Sequence, residues 1–413
     1  MEIVSRDHRQ VKLNKAWIFI GIIFNIKLPL IGEIYLGEIA LIPIFIWVIS
    51  NSRIAKEIRL LLIFCFLWAF FQLLSDITNQ SEILSTAKGV AAPIILGISI
   101  VALSVIFSNH TDRIRGFLIG ICICNIATGI IFPTEYQIEN FWKWGAGQAV
   151  LTILLALACS PTKRRNFLPL LILGGNLIIG MFFAARSLAI LPLIGLIFFY
   201  VTQSNSRFVQ ILKGIKFPFV ALVVIATLLS GVITTSSRYI FESELLDEIL
   251  PKDVLLKYRQ QALSDAGILL AGRSEILVSS RAFFDAPLLG HGSWALDNSG
   301  YVAQYAELRK EFGVTETTDE LNSIYIPTHS FLMGGIVWGG IIVGIAWVLI
   351  TNLALRCYLH NASNIQLYAH ILFTIFLWDF FFSPFGATAR WSSAICLAII
   401  FSTTLNTNIR KKI

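Results

Sequence analysis

Twelve apolar segments of roughly bilayer length run through this chain, at 17–32, 33–50, 58–75, 89–108, 116–132, 145–159, 167–184, 187–202, 217–234, 331–355, 366–385 and 392–408. A helix crosses a bilayer core with about 20 apolar residues, and about 17 suffice. Inside lipid every backbone N–H and C=O must find a protein partner, so such segments fold as helices. The expected fold is therefore an all-α polytopic membrane protein of about twelve spans. Composition agrees, because only 14% of the 413 residues are charged, against about 25% in a soluble domain. A soluble fold could not hide so much apolar surface. Soluble enzymes, nucleic-acid binders and secreted domains are excluded. The first two segments lie so close that a broken pair is the alternative to two spans. No small-residue cleavage site follows the first, which reads as an uncleaved span.

Basic residues set the expected orientation, since Lys and Arg accumulate on the cytoplasmic side. Alternate connections carry Arg6, Arg9, Lys12 and Lys15; Arg53, Lys56 and Arg59; Arg113 and Arg115; Lys163, Arg164 and Arg165; Arg207, Lys213 and Lys216; Arg356; and Arg410, Lys411 and Lys412. The intervening short loops hold only Lys88, Lys143, Arg186 and Arg390. This asymmetry predicts both termini in the cytoplasm. The six cysteines fall in or beside apolar segments without metal-ligand spacing, and no metal or cofactor is expected.

A loop at 235–328, between the ninth and tenth spans, is the exception to the short connections. It carries 8 basic and 14 acidic residues and is placed on the outer face, as a subdomain inserted into a single transmembrane domain spanning 1–413. Charged and apolar residues alternate at helical spacing over 252–285, which predicts two amphipathic helices, the second from near Gly272 to before Pro287.

The few charges on the outer side are the candidates for chemistry. Arg186, in FFAARSLAI, costs about 2.5–3.5 kcal/mol at hydrocarbon depth without a partner or a wet cavity. It reads either as a snorkelling side chain or as an anion ligand at a cavity floor. Arg273 and Arg281 stand two helical turns apart and could share a face, suited to phosphate oxygens or simply paired with Glu275 and Asp285. Gly290 and Gly292 flank His291, which suggests a tight turn or a close ligand approach. His329, in IYIPTHSFLMGG, is expected at the outer membrane surface where a helix begins. A histidine can serve as general base or hydrogen-bond donor to a hydroxyl, or be an ordinary polar flank at headgroup level. The glycines after it (Gly334, Gly335, Gly339, Gly340, Gly344) favour close helix packing. Lys27, Glu38 and Asp379 lie within spans, and Asp379 could pair with an arginine at the cavity rim. Phe141, Trp142, Trp144 and Trp391 read as an interface belt.

Three of these segments, in this order and topology, resemble the family of O-antigen ligases and O-antigen-type polymerases. They are GRSEILVSSRAFFDAPLLGHG at 272–292, HSFLMGGIVWGG at 329–340 and AARSLA around Arg186. Ser330 stands where the family often has asparagine, Trp338 where it often has glutamate, and Leu188 where its Ser-Arg-Gly segment has glycine. The resemblance implies a donor glycan on undecaprenyl diphosphate. Its reducing-end sugar would pass to an acceptor hydroxyl with inversion and without a metal. The acceptor is another lipid-linked repeat unit in a polymerase and the lipid A-core in a ligase. The glycine spacing after His329 departs from the ligase pattern and favours the polymerase. The resemblance further implies His329, Arg186 and Arg273 as catalytic residues, with Arg281, Arg390, Gly290, Gly292 and His291 in substrate binding. It also implies the bacterial inner membrane, a site facing the periplasm, contact with membrane lipid, and a flippase or chain-length regulator as protein partner. A transporter of lipid-linked sugars is the competing class. It would show inverted repeats and broken helices at the midplane, and the sequence displays neither. An assembly scaffold would tolerate loss of Arg186 or His329.

Overall fold

A computed structural model describes residues 13–30, 32–51, 55–108, 110–159, 167–183, 185–203, 207–243, 252–264, 267, 271, 273–312 and 319–410. Gly272 and the basic residues Arg6, Arg9, Lys12, Arg53, Lys163, Arg164, Arg165, Lys411 and Lys412 lie outside them. The apolar helices are α1 (Lys15–Phe24), α2 (Leu36–Asn51), α3 (Lys56–Thr78), α4 (Ile83–Phe107), α5 (Thr111–Ile131), α7 (Gly147–Ala158), α8 (Leu168–Phe182), α9 (Arg186–Gln203), α11 (Pro218–Glu242), α15 (Phe331–Asn361), α16 (Leu367–Phe382) and α17 (Ala387–Arg410), with the short helices α6 (Glu135–Glu139) and α10 (Arg207–Gly214) in the connections. Among the described residues seven helices are long and apolar enough to cross a membrane, and five apolar helices are shorter. The chain is an all-α membrane protein.

Each apolar segment of the sequence coincides with a helix, with one correction. The segment 17–32 is helical only to Phe24. Lys27–Leu30 and Gly32–Tyr35 then pair as an antiparallel hairpin, β1 and β2. At about 1.5 Å per residue the ten-residue α1 is about 15 Å long, half a bilayer core. Pro29 and Gly32, the latter at φ +80°, stop the helix from continuing. Gly116 and Gly120 of α5 let α1 lie directly on it, because a Cβ at Gly116 would come within 2.8 Å of the Asn14 carbonyl.

The second correction is a broken helix. Gly340 sits inside α15 at φ 75°, ψ −172°, outside the region open to other residues. Along one straight helix Phe331 and Trp347 would be about 24 Å apart. Their ring centroids are 5.6 Å apart, so the arm 331–339 folds back over the arm 341–361. Gly340 is therefore a hinge point of the backbone rather than a helix-packing glycine.

The long loop holds α12 (Lys252–Leu263), α13 (Glu275–Asp285) and α14 (Tyr301–Glu311). α12 and α13 are the two expected amphipathic helices, and α11 runs past the end of its apolar segment to Glu242. Asp297 starts α14 by accepting from Tyr301 N at 2.9 Å and Val302 N at 2.7 Å. Tyrosines of α14 close on acids of α13: Tyr301 Oη donates to Asp285 at 2.6 Å and Tyr305 Oη to Glu275 at 2.7 Å. These acids are held by phenols, not by Arg273 and Arg281. Burial, reinforced by Asp285, pushes the Tyr301 phenol up to about 12.

Candidate functional site

The candidate residues come from the start of α9, the residues before α13 and the start of α15, and α9 and α15 both pack on α16. α9 and α16 run antiparallel. Gln203 Nε2 donates to Ser363 O at 3.3 Å, and a Cβ on Gly195 would lie 2.8 Å from Ile371 Cα. Nine residues further along each helix, the same register brings Arg186 to the level of Phe380. Arg186 Nη2 donates to Gln261 Oε1 at 2.8 Å, and its guanidinium lies over the Tyr258 ring at 4.5 Å. Both partners belong to α12, so the loop reaches back to this arginine. Burial raises the Tyr258 phenol, and the Arg186 charge partly offsets that rise.

His329 reaches the same level from the other side. Ser330 caps the first arm of α15, accepting from Met333 N at 3.1 Å, and its hydroxyl donates to Phe380 O at 2.9 Å. The sequence placed His329 at the outer surface with a span descending from it. The fold-back at Gly340 puts the start of the first arm level with Trp347 and Phe380, whose rings are 6.0 Å apart. Trp347 is seven residues past the break, or about 10 Å along the second arm. Ser279 of α13 holds this segment by donating to Pro327 O at 2.8 Å.

Arg273 precedes α13 and interacts electrostatically with Asp379, the neighbour of Phe380. Asp379 Oδ1 also accepts from Ser383 Oγ at 2.7 Å. Arg186 thus lies at the level of Phe380, Ser330 beside His329 bonds Phe380 O, and Arg273 acts on the adjoining Asp379.

The remaining candidates lie elsewhere. Arg281 does not share a face with Arg273; it lines a groove against α14. Arg390 is buried and bidentate to Glu38, at 2.7 Å from Nε and 2.8 Å from Nη2, and Nη2 also donates to Glu33 O at 3.0 Å. It locks α17 to the hairpin and α2. Trp391 is not in an interface belt. It is buried, stacks on Tyr35 and donates to Asn25 Oδ1 at 3.1 Å. His291 Nε2 lies 2.7 Å from Ala282 O and its ring meets Tyr301 edge-on.

Gly290 and Gly292, at φ +70° and +87°, bring the loop backbone onto the break. His291 N donates to Val337 O at 2.8 Å, Gly292 N to Trp338 O at 3.0 Å, and Ile341 N to Pro287 O at 2.9 Å. A Cβ at Gly290 would stand 2.5 Å from Val337 O. The close approach made by Gly290 is to protein backbone, and that made by Gly292 is to the side chains of Ser81, Asp76 and Asn79. The end of α3 completes the clasp. Ser75 Oγ donates to Trp338 O at 2.6 Å, Asn79 Nδ2 to Gly290 O at 3.1 Å, and buried Asp76 accepts from Ser293 N at 2.5 Å and Ser293 Oγ at 2.8 Å. Sequence reasoning missed Gln72, Ser75, Asp76 and Asn79. Their signal was five polar residues in eight, Thr78 included, at one end of an apolar helix.

Among the described residues no group of three or more His, Cys, Asp or Glu side chains could hold a metal ion. No family model, curated protein or solved structure matches the chain.

Proposed function

We propose that this chain is a membrane glycosyltransferase, a polymerase of O-antigen or exopolysaccharide type. It would transfer an undecaprenyl-diphosphate-linked glycan to a hydroxyl of another lipid-linked repeat unit. What supports the reading is that Arg186 lies at the level of Phe380, Arg273 acts on Asp379, and Ser330, beside His329, bonds Phe380 O at the end of α16. Two guanidiniums suit a diphosphate, whose charge grows as it leaves. In the step, the acceptor oxygen attacks the anomeric carbon. The carbon–oxygen bond to diphosphate breaks, with the electron pair leaving on diphosphate, and the acceptor proton passes to His329. Departure of a good leaving group between two arginines needs no metal, and single displacement inverts the anomeric centre. In this reading all twelve apolar helices belong to the membrane domain of an inner-membrane protein. Both termini are cytoplasmic and the Arg186 end faces the periplasm.

The alternative acceptor, lipid A-core, would make the protein an O-antigen ligase. A transporter reading gains a broken helix from the structure, but the freed groups at the break are bonded to residues 287–292 and Ser75 rather than lining a path.

Purified protein with a defined undecaprenyl-diphosphate repeat unit, with and without lipid A-core, decides among these. Lengthened lipid-linked chains support the polymerase, and modified core shifts the assignment to ligase. No transfer to either acceptor refutes the enzyme reading, and loss on adding EDTA refutes the metal-free step. Arg186→Ala and His329→Ala should insert normally and lose transfer by about 10²–10³-fold.

A further inference from the structure

A second candidate site lies in the loop subdomain, away from the arginine pair. α13 presents Leu277, Val278 and Arg281 on one face, and α14 presents Gln304, Glu307, Leu308 and Glu311 at positions three, four and seven apart. Together these residues line a groove of about 190 Å³. Its floor is aliphatic: Val278 is buried, and Leu308 packs on the small core formed by Val278, Tyr301, Tyr305 and Val337. Its walls carry a guanidinium, an amide and two carboxylates. Among the described residues no ion pair or side-chain hydrogen bond joins Arg281, Gln304, Glu307 and Glu311 to one another. Opposite charges thus face each other across an open space without closing on it.

We propose that this groove is a sugar subsite for the acceptor glycan, taking one uncharged or amino-bearing pyranose. The inference rests on the glycan-transfer reading above and extends it to the acceptor. A pyranose has C–H faces that suit an aliphatic floor. It also has adjacent hydroxyls that suit planar carboxylate, amide and guanidinium groups, each offering paired donors or acceptors. Two carboxylates against one guanidinium leave the groove negative, which disfavours a uronic acid and admits a neutral or amino sugar. The placement is compatible with an acceptor, because α13 carries both the groove residues and Ser279, which holds Pro327 two residues before the proposed base His329.

The test uses the full chain in nanodiscs and free trisaccharides carrying neither lipid nor diphosphate, with binding read by saturation-transfer NMR and calorimetry. The panel is neutral hexose, N-acetylhexosamine, hexosamine and hexuronate trisaccharides. At least one neutral or amino trisaccharide should bind, with hexuronate at least about tenfold weaker. Arg281→Gln and Gln304→Ala should each weaken the bound sugar roughly tenfold, about one hydrogen bond to a charged or desolvated partner. Glu307→Gln with Glu311→Gln should narrow the gap to hexuronate. Binding by no member of the panel, or affinities unmoved in all these variants, overturns the proposal. The two readings fail separately. Sugar binding without any transfer refutes the polymerase and leaves the subsite. Transfer whose acceptor KM ignores all these variants refutes the subsite and leaves the enzyme.

Discussion

Gly340→Ala is the most direct probe of how the site is built. The native backbone at φ 75°, ψ −172° lies where essentially only glycine goes, and forcing alanine there costs about 1–3 kcal/mol. A methyl group would also overlap the Leu288 carbonyl and approach within 2.7 Å of Leu289 N. Segment 287–292 must then move off the break, loosening three backbone hydrogen bonds, from His291 N, Gly292 N and Ile341 N. At about 1 kcal/mol net each, the total reaches about 5 kcal/mol, in the range reserved for disruptive substitutions. The control is Gly175→Ala in α8, where a Cβ meets nothing within 4 Å and helix propensity favours alanine by up to about 1 kcal/mol. Thermal unfolding of both variants in one detergent reads the difference. Gly340→Ala should unfold several degrees below Gly175→Ala, and hydrogen exchange should rise at residues 287–292 and 331–339. Equal midpoints with unchanged exchange would show that α15 is not folded back at Gly340, and the placement of His329 would fall with it.

Three further outcomes are expected. Glu38→Ala leaves Arg390 buried without its carboxylate and should lower stability by about 3–5 kcal/mol, while Glu38→Leu with Arg390→Met recovers most of it; thermal unfolding of single and double variants measures both. Tyr258→Leu with Gln261→Ala removes a ring contact and a charged hydrogen bond from Arg186. It should reduce glycan transfer about tenfold, or about 1.4 kcal/mol of barrier, at unchanged midpoint. Equal transfer would mean these partners do not position Arg186. Tyr301, pushed up to about 12, binds its proton more tightly folded than unfolded. Its contribution is therefore complete below about pH 10 and lost as pH rises through about 12. Burial also raises Tyr305, so tyrosinate absorbance should show several late-titrating phenols, of which Tyr301→Phe removes the one that ionises near pH 12.

The sequence revealed what periodicity and charge govern, and hid what depends on tertiary backbone contacts. Apolar length marked the bundle helices because lipid leaves a chain few other choices. Alternation over 252–285 marked α12 and α13 because each buries one face. Arg186, Arg273 and His329 stood out as charges where charges are scarce. Arg390 stood out for the same reason, yet its partner Glu38 is 352 positions away in sequence, and no local pattern distinguishes a paired arginine from an available one. The break at Gly340 was also illegible. It is one glycine of five within eleven residues, and only contact with residues 287–292 selects it. Asp76 escaped because one acid at the end of an apolar helix looks like an interfacial residue until its acceptor role toward Ser293 is seen.

The break explains why the loop and the site form one unit. Unwinding a helix in a membrane protein is tolerated only where the freed backbone groups are buried in protein and bonded there, and leaving such a group unpaired costs about 1–3 kcal/mol or more. Here Val337 O, Trp338 O and Ile341 N are satisfied by the loop, with Ser75 of α3 sharing Trp338 O. The segment that satisfies them follows directly from α13, the helix that Arg273 precedes and whose Ser279 holds Pro327. The same loop therefore holds the arm that begins beside His329, carries Arg273 to Asp379, and supplies Tyr258 and Gln261 to Arg186. A displacement of residues 287–292 would disturb both the proposed base and its neighbouring arginine, whereas a change confined to Arg390 and Glu38 acts on the hairpin and α17. On this basis, substitutions at Gly290, Gly292 and Gly340 should resemble one another in their effect on transfer, although none of these glycines has a side chain to offer a substrate.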